Sequence, residues 1–190
     1  KSEDNEVYDN DWHGKGGPLG VSQPRGALPI CEAFIHAAEQ YGIPRNDDLS
    51  APDPTGFGFY QLTQRNVRRS STAVAYLRPA MNRPNLTVMM TEMVGRILVS
   101  GNRATGVEIR RGGGTEIISG GEVIVMSGAI GSPRLLMLSG IGPADHLTSV
   151  ASQPVHDLPG VGSNLQDHLD LCVLSECTGD HSYDKYGKPA

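Results

Sequence analysis

Val123-Ile-Val-Met-Ser-Gly-Ala-Ile-Gly-Ser-Pro-Arg-Leu-Leu-Met-Leu138 joins four apolar residues to a glycine-rich turn and then to a leucine-rich segment. The apolar run, Val123 to Met126, is continuous instead of alternating, the pattern of a strand covered on both faces in an α/β sheet. Pro133 to Leu138 reads as a helix, with Ser132 as its N-cap and Pro133 at the favoured first position. In open α/β sheets ligands sit beyond the carboxyl ends of strands, where small residues let a ligand reach the backbone and unpaired helix N–H groups favour anions. Ser127 to Ser132 meets that description. A tight connection needing glycine for its shape alone fits the same residues.

Upstream, Leu86–Met90, Val94–Val99, Ala104–Ile109 and Thr115–Ile118 are β-type runs separated by Gly, Asn and Ser turns, and they predict a meander that ends in the Val123–Met126 strand. The first half differs. Trp12 to Leu19 is a turn-rich loop entering a short strand at Leu19 and Val21. Leu28 to Tyr41 predicts a surface helix with one buried stripe, Ile30, Phe34, Ala37, Ala38 and Tyr41, begun by Pro29 and stopped at Gly42. Asn46 to Thr55 is a loop and Gly56 to Leu62 alternates as a strand. Ser70 to Leu77 is a short helix that ends before Pro79.

The 190 residues carry 16 Lys+Arg against 21 Asp+Glu, a net charge of −5, so no general attraction to nucleic acid or acidic lipid is built in. No apolar stretch approaches the ~20 residues of a transmembrane helix. Cys31, Cys172 and Cys177 suit neither a disulfide framework nor a zinc site, so no metal is expected. Asp167-His168-x-Asp170 has the wrong spacing for one helical face and reads as a loop histidine beside a carboxylate. Arg65, Arg68 and Arg69 suit an anion clamp or a solvated basic turn. His13, His36, His146 and His181 stand alone, and none is nominated as a catalytic base. Gly14-x-Gly16 and Gly160-x-Gly162 lack the third glycine of a dinucleotide fingerprint, so any dinucleotide site here is half a site.

Gly128 to Gly142 matches in full the second signature segment of the glucose-methanol-choline (GMC) oxidoreductases, and Asp157 to His168 resembles the segment that follows it in that family. Trp12-His-Gly to Gly17-Pro-Leu19 is similar to the start of the family's substrate domain. Arg69 to Leu77, and Asn85-Leu-Thr-Val to Val94-Gly-Arg-Ile-Leu98, match as well, so the resemblance runs over nearly the whole chain. Its flavour is that of choline dehydrogenase-like bacterial alcohol dehydrogenases.

The resemblance implies an α/β FAD-binding domain interleaved with an antiparallel-sheet substrate domain, in an enzyme that oxidises a small-molecule alcohol by hydride transfer to the flavin N5. Residues 1–12 are then a leading loop, 13–80 a substrate-domain segment, 81–170 an FAD-domain segment, and 171–190 the start of a second substrate-domain segment. Val94 is the position whose backbone meets the adenine; Ser127, Gly128 and Ala129 lie beside the adenosine half of FAD, and Asn164 to His168 run near the domain's edge. The pyrophosphate loop falls before this stretch in the family and the catalytic histidine after it, so no catalytic residue is assigned. The chain is expected to be an internal piece, inactive alone. A dehydrogenase or an oxygen-using oxidase fits these residues, as do a hydroxynitrile lyase of the same fold and a non-enzymatic scaffold; the electron acceptor stays open. Bacterial members imply the cytoplasm or the inner face of a membrane, whereas fungal members are secreted, where the Asn85-Leu-Thr87 sequon would count.

Overall fold

The computed structural model describes residues 2–90, 93–150, 152–174, 176, 178, 179 and 181. They divide into two compact units, one of residues 2–87 with the described residues after 172, the other Val88–Cys172.

The first unit opens with β1 (Glu3–Asn5), which pairs in parallel with β2 (Leu19–Val21), so the charged leader is a strand where the sequence suggests only a loop. What anchors it is polar. Asn5 is 1% exposed, and its side-chain carbonyl accepts the backbone N–H groups of Val7 and Tyr8, at 3.0 Å each. Helix α1 (Pro29–Gln40) starts on its proline and stops before Gly42, whose φ of +95° suits glycine. Its buried face is Ile35 and Ala38; Phe34 and Tyr41, expected in the stripe, are exposed. Ile30 and Phe34 instead wall an open hollow of about 650 Å³ with Phe57, Phe59 and Tyr60, and the Phe34 and Phe57 rings lie 5.5 Å apart.

Gly56 to Leu62 forms no strand, only isolated bridges at Phe57 with Arg45 and at Leu62 with Ser22, because it runs beside no continuous edge. A two-residue antiparallel hairpin follows, β3 (Gln64–Arg65) with β4 (Arg68–Arg69). The next helix does not end before Pro79. A π-helical turn, Ala73–Leu77, in which the Arg78 N–H reaches back to the Ala73 carbonyl, runs straight into α2 (Arg78–Ala80). Pro79 therefore continues a helical backbone, Leu77 and Arg78 before it both being in the α region.

The second unit is a three-stranded antiparallel meander, β5 (Met93–Ser100), β6 (Arg103–Arg111) and β7 (Gly114–Ser119), in the order β5-β6-β7. Tight turns at Gly101-Asn102 and Gly112-Gly113 set its register. The run Leu86–Met90 is not a strand. Helix α3 (Gly128–Leu138) leads to β8 (Ile141–Gly142), then α4 (Ala144–Ser149), then β9 (His156–Asp157), which pairs in parallel with β8. The core gathers on Ile97, Ile109 and Leu147, the last 1% exposed, a burial worth about 2 kcal/mol.

Val123 to Met126 departs from expectation. It belongs to no sheet among the described residues, and its side chains alternate: Val123 and Val125 are half-buried, while Ile124 and Met126 are 72% and 85% exposed. An apolar run covered on one side only has no ladder to hold it as a doubly covered strand. Its junction with α3 also differs, since the helix begins at Gly128, five residues before Pro133. Ser127 stands at the N-cap position, and Ser132, inside the helix, accepts the Ser127 N–H on its hydroxyl at 3.0 Å. Glycine is a poor helix former and alanine the best, and the small size of both lets the first turn form where the chain leaves an extended segment.

Candidate functional site

Strand β5 is an edge of the meander, and α3 lies against it. Its edge amides need partners, and one comes from a side chain: the buried Ser139 hydroxyl accepts the Ile97 N–H at 2.8 Å and donates to the Leu135 carbonyl at 2.6 Å. One hydroxyl therefore joins the end of α3 to the middle of β5. Two residues before Ile97 on β5, the ladder with β6 is interrupted. Val94 faces Ile109 and Arg96 faces Glu108, which leaves Gly95 as the extra residue of a β-bulge. Bulges re-aim neighbouring groups and end pairing locally.

A cavity of about 410 Å³ opens between these elements, walled by Met93, Val94, Gly95 and Arg110 on the sheet side and by Ser127, Gly131, Arg134, Leu135 and Leu138 on the helix side. Val94 and Ser127, expected to meet one ligand, are on the same wall-to-wall space although 33 positions apart in sequence, Val94 on β5 and Ser127 before α3. Gly128 follows Ser127 with φ +82° and open space where a Cβ would stand. Ala129 faces elsewhere. It borders a second hollow of about 500 Å³ with Ile130, Pro133, Arg134, Met137 and Gly162 to Gln166, which includes Asn164 and Leu165. The four residues thus flank the first turn of α3, two sharing one cavity and one bordering its neighbour.

The fit to an adenosine is good on this geometry. Gly131 sits so close to Ser127 that a Cβ on it would stand 3.0 Å from the Ser127 Cβ, so the glycine keeps the wall thin. Ser127, Gly128 and Ala129 are all exposed, and the first-turn N–H groups of a helix have no intrahelical acceptor. Apolar Met93, Val94, Leu135 and Leu138 offer walls for a heteroaromatic ring, and backbone groups at the bulge offer its edge partners. Arg110, Gly131 and Arg134 were not singled out by sequence reasoning. Their contribution comes from the register of β6 and the helical start at Gly128, and neither is a motif.

His13 does not stand alone. It is buried, with Nδ1 3.0 Å from Glu3 Oε1 and 3.1 Å from Asn5 Nδ2, and Nε2 3.0 Å from Asp48 Oδ2. The Tyr8 ring lies 5.1 Å from it, and the Tyr8 hydroxyl donates to the Asp47 carbonyl. Burial first, then Asp48 and Asp47, push the Tyr8 phenol above its ordinary value. This network ties β1 to the 46–55 loop. Arg65 pairs with Asp4 at 3.0 Å, while Arg68 and Arg69 lie exposed on β4, so the three do not converge as a clamp. His168 is exposed, its N–H donating to Asp167 Oδ1 at 2.8 Å, and Asp170 is exposed as well. Among the described residues no three His, Cys, Asp or Glu side chains gather around a metal position, and no helix is long and apolar enough to cross a membrane. Cys177 and most of 171–190 lie outside the described residues.

Comparison with known proteins adds independent observations. The family model for the GMC oxidoreductases matches residues 2–170. The oxygen-dependent choline dehydrogenase of Pseudomonas putida is 45% identical over 183 residues, which is 94% of this chain and 32% of the relative. Among solved structures, pyridoxine 4-oxidase from Mesorbium loti superposes with a TM-score of 0.78 at 33% identity, covering 83% of this chain and 31% of that one. An FAD-dependent oxidoreductase from Chaetomium thermophilum gives a TM-score of 0.79 at 31% identity, covering 88% and 32%. The chain therefore spans about a third of the length of the proteins it matches.

Proposed function

This chain belongs to the GMC oxidoreductase family, and from that premise we propose that it supplies the adenosine end of an FAD site in an enzyme that oxidises the CH–OH group of a small alcohol. The observation that carries the reading is the cavity that brings Val94 and Ser127 together across the start of α3. Val94 offers backbone groups beside a β-bulge to the adenine edge. Ser127 and Gly128 offer N–H groups and close approach to the ribose side, and Ala129 keeps the first helical turn narrow. When bound, FAD supplies the acceptor for the hydride that leaves the alcohol carbon. This chain's residues do not touch that chemistry; they hold and orient the cofactor at its far end.

The division of the chain supports the domain reading. Its compact units meet the boundary at 87/88 and at 172/173, close to the proposed change from substrate-domain segment (13–80) to FAD-domain segment (81–170) and back at 171. Choline is the first alcohol to try, because the 45% identical relative is named for it.

The test uses the full gene product carrying this sequence, assayed for oxidation of choline and other primary alcohols with a dye acceptor and then with oxygen alone. Turnover with dye only assigns a dehydrogenase, and turnover with oxygen an oxidase. A bound flavin that no alcohol reduces overturns the oxidoreductase reading and leaves a fold that binds FAD without redox turnover.

A further inference from the structure

Strand β5 keeps two registers against β6, and Gly95 lies where they meet. On one side Val94 faces Ile109, which is 3% exposed; on the other Arg96 faces Glu108. The bulge is therefore bracketed by one apolar pair and one ion pair. Glu108 Oε2 accepts the Arg96 Nε–H at 2.9 Å and lies 2.8 Å from an Arg96 Nη. Its other oxygen, Oε1, stands 3.5 Å from where a Cβ on Gly95 would be, so the carboxylate lies along the bulge itself.

An exposed ion pair contributes little to stability, and the Arg96 side chain is 55% exposed. The weight of this pair lies in Glu108, whose side chain is only 19% exposed and which makes no other ion pair among the described residues. The bulge can close in two ways. A ladder continued from Val94 and Ile109 sets Gly95 opposite Glu108, and takes Arg96 from a carboxylate that is costly to leave unpaired. It also displaces the Ile97 N–H that the Ser139 hydroxyl holds. A ladder continued from Arg96 and Glu108 sets Val94 opposite Arg110 and turns it to the other face of the sheet. Each closure breaks one bracket.

We propose that Arg96 and Glu108 are positioning residues for the cofactor: their pair pins the Gly95 bulge and so fixes where the Val94 backbone meets the adenine. The positioning role rests on the adenosine reading of the β5–α3 cavity; the register argument stands without it.

The full gene product is compared with its Glu108→Ala, Arg96→Gln and Arg96→Glu/Glu108→Arg variants. Hydrogen exchange of the flavin-free proteins tests the pin. Exchange over residues 93–97 is expected to be about tenfold faster in Glu108→Ala and to slow again on charge reversal, whereas exchange equal to the parent's overturns the pin. Each protein is then titrated with FAD and with flavin hypoxanthine dinucleotide, whose base carries a carbonyl in place of the 6-amino group. The ratio of the two affinities reports the base edge, which a loss of stability alone does not change. The parent should prefer FAD about tenfold, Glu108→Ala should bring the two within about threefold, and charge reversal should restore the preference. Arg96→Gln, a change at an exposed side chain, carries the same comparison where Glu108→Ala yields no folded protein. A preference in the single variants equal to the parent's overturns the positioning role. A parent that binds both dinucleotides equally overturns the adenosine reading, and the exchange result then decides the pin alone.

Discussion

The N-terminal unit is tied together by side chains that reach across the sequence, whereas Val88–Cys172 is built mostly from neighbours. Asn5 meets Gln61 at a separation of 56 positions, His13 meets Asp48 at 35, and the Gly20 N–H meets the Ser70 hydroxyl at 50. In the second unit β5, β6 and β7 pair in chain order, and its main long-range tie is the Ser139 hydroxyl on Ile97. A unit held by a polar network is sensitive to any one member, because a buried group left unpaired costs its full desolvation. One held by a ladder and a few apolar side chains loses stability in proportion to what is removed. That contrast suits a frame in the first unit and a cofactor cradle in the second.

Substitutions can break the contrast. The largest effect is expected from Asn5→Leu, which strands the Val7 and Tyr8 amides and the Gln61 amide at once. The cost should be on the order of 4 kcal/mol, at 1–3 per orphaned group. Hydrogen exchange of the full gene product should show it confined to residues 2–87. Leu147→Ala should cost about 3 kcal/mol through the cavity it leaves, with exchange rising in Val88–Cys172 and not in the first unit. Equal loosening of both units by either variant would show that they share one core.

Smaller changes sharpen the picture. Ser139→Ala removes the acceptor of the Ile97 N–H and should cost about 1–2 kcal/mol. Because this hydroxyl sets the separation of β5 and α3, FAD affinity should fall several-fold beyond what the stability loss accounts for, and Ser139→Thr should restore part of it. The smallest effect is in pH. The Tyr8 phenol is raised above its ordinary 10.0, so the stability it carries is fully present below that value and is lost as pH rises through the folded-state value. Asp53 works with the opposite sign. The Thr55 hydroxyl and N–H hold its carboxyl below the ordinary 3.8, so its contribution is present above that pH and fades as pH falls. Tyr8→Phe should flatten the alkaline limb of a thermal-stability profile, and Asp53→Asn the acid limb.

The parts of the fold that local pattern dictates were legible. Val94–Val99, Ala104–Ile109 and Thr115–Ile118 alternate between turn-forming glycines and asparagines, and all three are strands. Pro29 and Gly42 bracket α1 as helix-end chemistry requires. The Val123–Met126 run misled because continuous apolarity signals burial on both faces only when a neighbouring strand supplies one of them, and among the described residues none does. Pro133 misled for a related reason: a proline fits the first turn best, yet α3 had already begun on Gly128. The buried network around His13 was invisible because Glu3, Asn5, Asp48 and Gln61 follow no period. At the cavity, Val94 and Ser127 came from resemblance, and nothing in spacing alone joins them. Arg110 and Arg134 needed the register of β6 and the phase of α3 before their shared cavity could be seen.

The most direct measurement compares FAD with FMN, which lacks the adenosine half, for binding to the full gene product and to its Gly131→Leu variant. Leucine at 131 would stand against Ser127 and fill the β5–α3 cavity. The expected result is FAD affinity lowered at least tenfold, about 1.4 kcal/mol, with FMN affinity unchanged. FAD binding as tight in the variant as in the parent protein would contradict the assignment of this cavity to the adenosine.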